Sequence, residues 1–214
     1  DTLNDTPSRV DEVKKLVSEL GWENSPVLVC GSTHPLEEEI LLAAAPQLIK
    51  QGLKIIFAPR HLERRLEIEQ NLKNSRLNYA MMSQKAVPCD ILCADVMGFL
   101  QSLYTCAALT FVGGSIAPRG AHNLLEPAIL GKAVLFGQSF FNTPDTARAL
   151  LTQGGGTLVN QTNFKSTVLR LLEDEHLRRD MNANARKTAL SFKRATEKIM
   201  KVGENYERQS AEYF

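Results

Sequence analysis

Between Gly113 and Glu126 the chain reads GGSIAPRGAHNLLE, which opens on two glycines and gathers a serine, an arginine, a histidine, an asparagine and one carboxylate into a single short stretch. Gly113 and Gly114 lack a Cβ, so the main chain can turn sharply there and present N–H groups to an anion, to which Ser115 adds a hydroxyl. Asn123 suits the cap of a helix beginning at Leu124, whose free N–H groups and positive dipole end form a site for a phosphate. Glu126 falls in the first turn of that helix. Facing the phosphate would be repulsive, but its two oxygens could accept both hydroxyls of a ribose one step away. Arg119 supplies a cation and His122 a further donor toward the phosphate. The chemistry implied is that of an anion attached to a sugar.

The usual nucleotide signatures are missing. No GxGxxG opens a helix after the first apolar strand, and Gly131-Lys132 lacks both the preceding glycine and the following Ser/Thr of a phosphate-binding P-loop. Both the dinucleotide-dehydrogenase and the P-loop readings lose weight on this account.

The elements that must position these residues follow from hydrophobic periodicity. Val10, Val13, Leu16, Val17 and Leu20 recur at helical spacing, and SPVLVCGS is a short apolar strand ending in small residues. THPLEEEILLAAAPQLIKQG reads as a helix capped by Thr33, with Pro35 in its first turn, Glu37 and Glu38 at its positive end, and Pro46 expected to kink it or end it early. LKIIFAPRH is a second strand, followed by the charged helix LERRLEIEQNLKN; LNYAMM and CDILCADV are the third and fourth strands, with a helix from about Gly98 to Cys106. ALTFVGGS, AVLFG and GTLV complete the strands, separated by the helices NLLEPAILG and TPDTARALLTQG, and from Asn163 onward the signal is helical only. Strands that do not alternate apolar and polar residues, interleaved with helices, predict an α/β fold: a Rossmann-like, doubly wound parallel sheet. In such sheets ligands bind outside the carboxyl ends of the strands, where strand order reverses. The segments to inspect are therefore Gly31 to His34, Pro59 to His61, Asp95 to Gly98, Gly113 to Asn123 and Gly137 to Asn142.

The bulk properties narrow the function. The 214 residues are 43% apolar and 23% charged, enough for one full core, and the formal net charge of +1 with interspersed signs provides no field to gather nucleic acid or an anionic membrane surface. Apolar stretches such as Ile40 to Pro46 and Ala107 to Val112 fall far short of the roughly 20 residues that span a bilayer. No cationic segment followed by an apolar one opens the chain. Cys30, Cys89, Cys93 and Cys106 lack a CxxC pair or zinc spacing and read as buried thiols of a reducing compartment, by default the cytoplasm. His34, His61, His122 and His176 are too dispersed along the chain for a sequence-local metal site. The charged stretch 173 to 187 reads as a solvated helix face, and Glu197 to Phe214 as an amphipathic tail.

Four blocks carry a resemblance: GSTHPLEEEILL (31 to 42), APRHLER (58 to 64), ADVMGFLQSLY (94 to 104) and FVGGSIAPRGAHNLLEPAILGKAVLFG (111 to 137). In this order and spacing the chain resembles the carboxyl-terminal half of 3-deoxy-D-manno-octulosonic acid (Kdo) transferases. The resemblance implies one half of a GT-B glycosyltransferase: a single donor-binding domain over 1–214 with a helical tail from about 163, its amino-terminal acceptor domain lying outside this chain. It further implies an inverting, metal-independent and cofactor-free transfer of Kdo from CMP-Kdo to a lipid A precursor, on the cytoplasmic face of the inner membrane, with the general base in the other half. Carried over residue by residue, it puts cytosine against Pro59, Arg60 and His61 and the backbone of Met97 and Gly98. It puts the phosphate near Gly114, Ser115 and Asn123, with the ribose on Glu126. Ser32 and Thr33 would face the sugar or the interdomain cleft, and Arg60 and Arg119 would be the cations for the phosphate or the Kdo carboxylate, in either allocation, and would stabilise the charge that develops in the transition state. This sequence departs from the family pattern at Val96 and Phe99, where DTMGEL is expected, at Ala121 in place of a glycine, and at Thr143 in place of phenylalanine. A GT-B enzyme using a UDP-sugar and a non-catalytic nucleotide-binding module are the alternatives.

Overall fold

The computed structural model describes residues 7–84 and 87–211, with side chains through residue 196. Helix α1 (Val10–Glu19) leads into β1 (Val27–Thr33), α2 (Pro35–Lys50), β2 (Lys54–Pro59), α3 (Arg65–Ser75), β3 (Tyr79–Met81) and β4 (Ile91–Cys93). The second half runs α4 (Leu100–Leu103), β5 (Leu109–Val112), α5 (Leu125–Ile129), β6 (Val134–Phe136), α6 (Pro144–Thr152), β7 (Gly156–Leu158), α7 (Phe164–Glu173) and α8 (Glu175–Ala211). The strands form one sheet in the order β3-β4-β2-β1-β5-β6-β7, and every pair is parallel.

The apolar strands read as they do because both faces are covered. On β1, Leu28 and Cys30 join one core with Leu41, Leu48 and Phe164, while Val27 and Val29 face a second core containing Val13, Trp22 and Tyr104. The same division separates Ile55 and Phe57 from Ile56 on β2. Successive side chains of a strand point to opposite faces, so a strand sandwiched between helix layers needs apolar residues at every position. Cys30, Cys89 and Cys93 are buried and Cys106 is half-buried, all as free thiols. Burial pushes Cys89 and Cys106 up to about 11, which leaves them unreactive thiols at neutral pH.

Two helix expectations are corrected. Helix α2 continues through Pro46 to Lys50. Ala44, Ala45 and Leu48 are all buried around the proline, and packing on both sides of it outweighs the hydrogen bond that its missing N–H removes. Thr33 is not the cap: it is the last residue of β1, and the N-cap of α2 is His34. Glu197 to Phe214 carries no described side chains, so the amphipathic tail lies outside the described side chains. Among the described residues no helix is long and apolar enough to cross a membrane.

The chain leaves β1 toward β2 on one side and later returns to pair β5 with β1 on the other. The topological switch point therefore lies between β1 and β5, and the loops leaving β1, β2 and β5 converge there.

Candidate functional site

One cleft opens at the carboxyl ends of these strands. Its larger lobe, ≈ 410 Å³, is lined by Ser32, Arg60, Gly98, Tyr104, His122 and Glu126, with Asn123 beside them. A smaller lobe of ≈ 150 Å³ shares Ser32, Arg60 and Gly98 and continues to Pro59, Val96 and Met97. The larger lobe has the size of a small-molecule site, and its wall converges polar groups from separate loops. A cavity of ≈ 390 Å³ between α2 and the start of α7 involves Leu36, Glu39, Gln161 and Lys165 and none of the residues predicted from the sequence.

Ser32 reaches both lobes because the backbone is bent there. Its φ is +54°, in the left-handed region that L-residues seldom occupy, and the β1–β2 register shifts between Gly31 and Thr33. Thr33 then points away from the cleft: it is buried and donates to Glu38 Oε1 at 3.3 Å. Glu38 also pairs with Arg64, whose Nη2 lies 3.0 Å from Oε2. Thr33 thus helps fix the turn at Leu62–Arg64 through Glu38.

The sequence-predicted phosphate cradle at Gly114 and Ser115 is overturned by Glu37. Its carboxylate, 2% exposed, accepts five backbone N–H groups: His34 at 3.1 Å, Gly114 at 2.9 Å, Ser115 at 3.0 Å, Ile116 at 2.9 Å and Ala117 at 3.3 Å. The Ser115 hydroxyl donates to the Val112 carbonyl at 2.6 Å. The loop is an anion nest, as its glycines imply, but it is already filled from within. Burial pushes the Glu37 carboxyl up, and the backbone donors, led by Gly114, pull against that. With every donor directed at its oxygens there is no acceptor for a carboxyl proton, and the group is ionised. A Cβ on Gly113 would lie 2.2 Å from the Ser32 carbonyl oxygen and 2.8 Å from Glu37 Oε2, so only glycine fits where β1, α2 and the nest meet.

The three histidines that sequence distance separates are neighbours in space, because their loops follow adjacent strands β1, β2 and β5. His34 Nε2 and His122 Nε2 are 3.2 Å apart, and the His34 ring meets His61 edge-on with centroids 5.5 Å apart. Burial, with His122, His61, Arg119 and Arg60 close by, lowers His34 from 6.5 to about 4. Burial also lowers His122, with Arg60 and His61 adding to the effect. Both rings are therefore neutral at pH 7, one donating to the other. Among the described residues no group of three His, Cys, Asp or Glu side chains is arranged to hold a metal ion.

On the opposite wall Asn123 Oδ1 accepts the Leu125 N–H at 3.0 Å and its Nδ2 donates to Glu126 Oε1 at 3.3 Å. Burial raises the Glu126 carboxyl and the Asn123 contact opposes this. Helix α5 begins at Leu125, not Leu124, and is five residues long, so few peptide dipoles are aligned along it. Side chains dominate this wall. Arg60 is exposed and lines both lobes; His61, also exposed, is paired with Glu63 at 3.0 Å. Arg119 is exposed outside the lining, and its carbonyl accepts the Asn142 amide at 3.4 Å. Gly98 (φ +79°) and Met97, 81% exposed, form the rim of the smaller lobe.

The departures from the family pattern fall in different places. Val96 lines the smaller lobe, Phe99 lies under the Arg9 guanidinium at 4.4 Å, and Ala121 is buried in the core below α5. Thr143 is the N-cap of α6, and among the described residues none donates to or accepts from its buried hydroxyl. The residues missed by sequence reasoning are Glu37 as a nest carboxylate, His34, and Tyr104, whose hydroxyl packs where a Cβ on Gly31 would be.

No family model matches the chain. Curated relatives do: it is 36% identical over 154 residues to the 3-deoxy-D-manno-octulosonic acid transferase of Chlamydophila psittaci, covering 71% of this chain and 35% of that protein. The same enzyme of Rickettsia felis is 31% identical over 199 residues, covering 91% of this chain and 42% of its own length. The chain therefore spans well under half the length of these relatives. Among solved structures it is similar to the C-terminal CMP-Kdo binding domain of WaaA from Acinetobacter baumannii, with TM-score 0.77, 29% identity and coverage of 84% of this chain and 96% of that one. The lipopolysaccharide glycosyltransferase WaaG shares the fold at TM-score 0.55 and 14% identity. The doubly wound sheet is that of a GT-B glycosyltransferase half.

Proposed function

As a relative of the 3-deoxy-D-manno-octulosonic acid transferases, this chain is, we propose, the donor-binding domain of such an enzyme and holds the nucleotide part of CMP-Kdo. The observation that carries the reading is the cleft at the β1/β5 switch point, where Arg60, Gly98, His122, Asn123 and Glu126 line one lobe. Cytosine occupies the smaller lobe between Pro59 and Met97, against the Gly98 backbone. Glu126 accepts the ribose hydroxyls, and the phosphate lies between Asn123, His122 and Arg60, with Arg119 and His61 at the entrance. Ser32 faces the sugar. Gly114, Ser115 and Thr33 support this wall from behind and make no donor contact.

As the glycosidic bond breaks, CMP leaves with an added negative charge. Donors aimed at its phosphate therefore stabilise the transition state more than the ground state, by about 3 kcal/mol for one well-placed group. In this reading Arg60 and Arg119 stabilise the leaving phosphate without a metal ion, and the transfer inverts the anomeric centre. The acceptor is a lipid A precursor held by a further, amino-terminal domain, which also supplies the general base at the cytoplasmic face of the inner membrane.

Calorimetric titration of the 214-residue chain tests this. CMP binds, UDP competes more weakly, and the chain alone transfers no sugar. Absence of CMP binding, stronger competition by UDP, or turnover by this chain alone would each overturn the proposal.

A further inference from the structure

Backbone N–H groups that converge at a switch point form a receptor for an anion. Here that receptor is made by Gly114, Ser115, Ile116 and Ala117 and is completed by His34, yet it receives Glu37 from α2. It lies directly behind the cleft wall. The His122 N–H donates to the Gly113 carbonyl at 3.1 Å, and a Cβ on Gly114 would lie 3.1 Å from the His122 ring. Val112, which precedes the nest, lines the cleft itself.

We propose that Glu37 is a specificity-determining residue: by filling the nest with a carboxylate of the protein's own, it limits the cleft to donors bearing one phosphate and rejects nucleoside diphosphates. The inference rests on the reading of the cleft as a cytidine monophosphate site. Arg60, Asn123 and His122, with His34 behind His122 and Arg119 at the entrance, receive the first phosphate and suffice for one dianion. A second phosphate, one bridging oxygen further toward the β5 loop, meets backbone donors already engaged and a fixed negative charge. Glu37 is held there from its own helix as well, because it lies in the first turn of α2 and accepts the His34 N–H in a capping box. Like charges in a confined site are strongly disfavoured, and the cost falls on the diphosphate alone.

The test compares CMP, CDP and inorganic phosphate on the wild-type chain and on Glu37→Ala and Glu37→Gln. Wild type binds CMP more tightly than CDP by about tenfold or more, the ratio expected from one uncompensated like-charge contact. In Glu37→Ala that ratio narrows by about tenfold, and inorganic phosphate raises the melting temperature of the variant well beyond its effect on wild type, since the vacated nest now binds it. A residue that served only to hold the fold would destabilise on replacement but would give no selective response to phosphate. Should Glu37→Ala fail to fold without added anion, Glu37→Gln carries the CMP-to-CDP comparison, because it keeps the size and one acceptor but loses the charge; its nest stays filled, so the phosphate response is read on Glu37→Ala. CMP and CDP binding wild type equally, a folded Glu37→Ala with unchanged ratio and phosphate response, or a folded Glu37→Gln with unchanged ratio, overturns this inference and leaves the nucleotide reading standing. Wild type that binds neither nucleotide overturns that reading, and this inference with it.

Discussion

Replacing Glu126 by glutamine tests the site at its most specific point. The carboxylate is half-buried in the cleft, and Asn123 Nδ2 lies 3.3 Å from Oε1, so the side chain is oriented before any ligand arrives. If its oxygens accept the ribose 2′- and 3′-hydroxyls, each is a hydrogen bond to a charged group, which stabilises by about 1.5–3 kcal/mol. Glutamine keeps one acceptor and presents a donor where the other stood, so about 2 kcal/mol is lost, or ~30-fold in Kd for CMP. The assay is a double-mutant cycle by calorimetry in which 2′-deoxycytidine monophosphate plays the second mutation. Wild type discriminates against the deoxynucleotide and Glu126→Gln does so much less, with a coupling of about 1 kcal/mol or more. Equal discrimination by both proteins would refute the assignment of the ribose to Glu126, whatever the loss in overall affinity.

Four further outcomes are expected. His34 titrates near 4 in the folded chain against 6.5 for an unperturbed imidazole, so the unfolded chain binds more protons in that interval and stability falls as pH drops from about 6.5 to about 4. An anion beside His34 and His122 favours their protonated forms, so CMP binding near pH 5.5 takes up protons, measurable as a dependence of the calorimetric heat on buffer ionisation enthalpy; no uptake would remove the histidines from the phosphate site. Gly113→Ala drives a Cβ into the Ser32 carbonyl at 2.2 Å, and denaturant unfolding should register a loss of at least about 2 kcal/mol. Arg60→Ala weakens CMP by about tenfold or more and leaves the far weaker binding of cytidine nearly unchanged; a parallel loss for both ligands would assign Arg60 to the base.

The sequence made the sheet legible because strands covered on both faces must be apolar throughout, as Leu28, Val29 and Cys30 are, and such runs separated by amphipathic helices permit few alternatives. The Asn123–Glu126 contact is local, between residues three apart, but the cap expected at Asn123 is not there: the N-cap of α5 is Leu124, with no side-chain cap hydrogen bond. Glu37 was not legible. In the first turn of α2 a glutamate reads as a partner of the helix dipole, and nothing in its neighbourhood reveals that its oxygens reach Gly114, 77 residues away. The same holds for the pair His34 and His122, brought together because β5 returns beside β1, a strand order that periodicity does not encode. Pro46 does not end α2 early, because burial of Ala45 and Leu48 overrides its propensity.

The most direct measurement is a crystal structure of this chain with CMP. The account predicts the pentose hydroxyls on the Glu126 carboxylate, the phosphate against Asn123, His122 and Arg60, and the pyrimidine between Pro59 and Met97, with Glu37 still seated in its nest of five N–H groups. Density for the nucleotide in the cavity beside α7, or a phosphate that displaces Glu37 from the β5 loop, would contradict it.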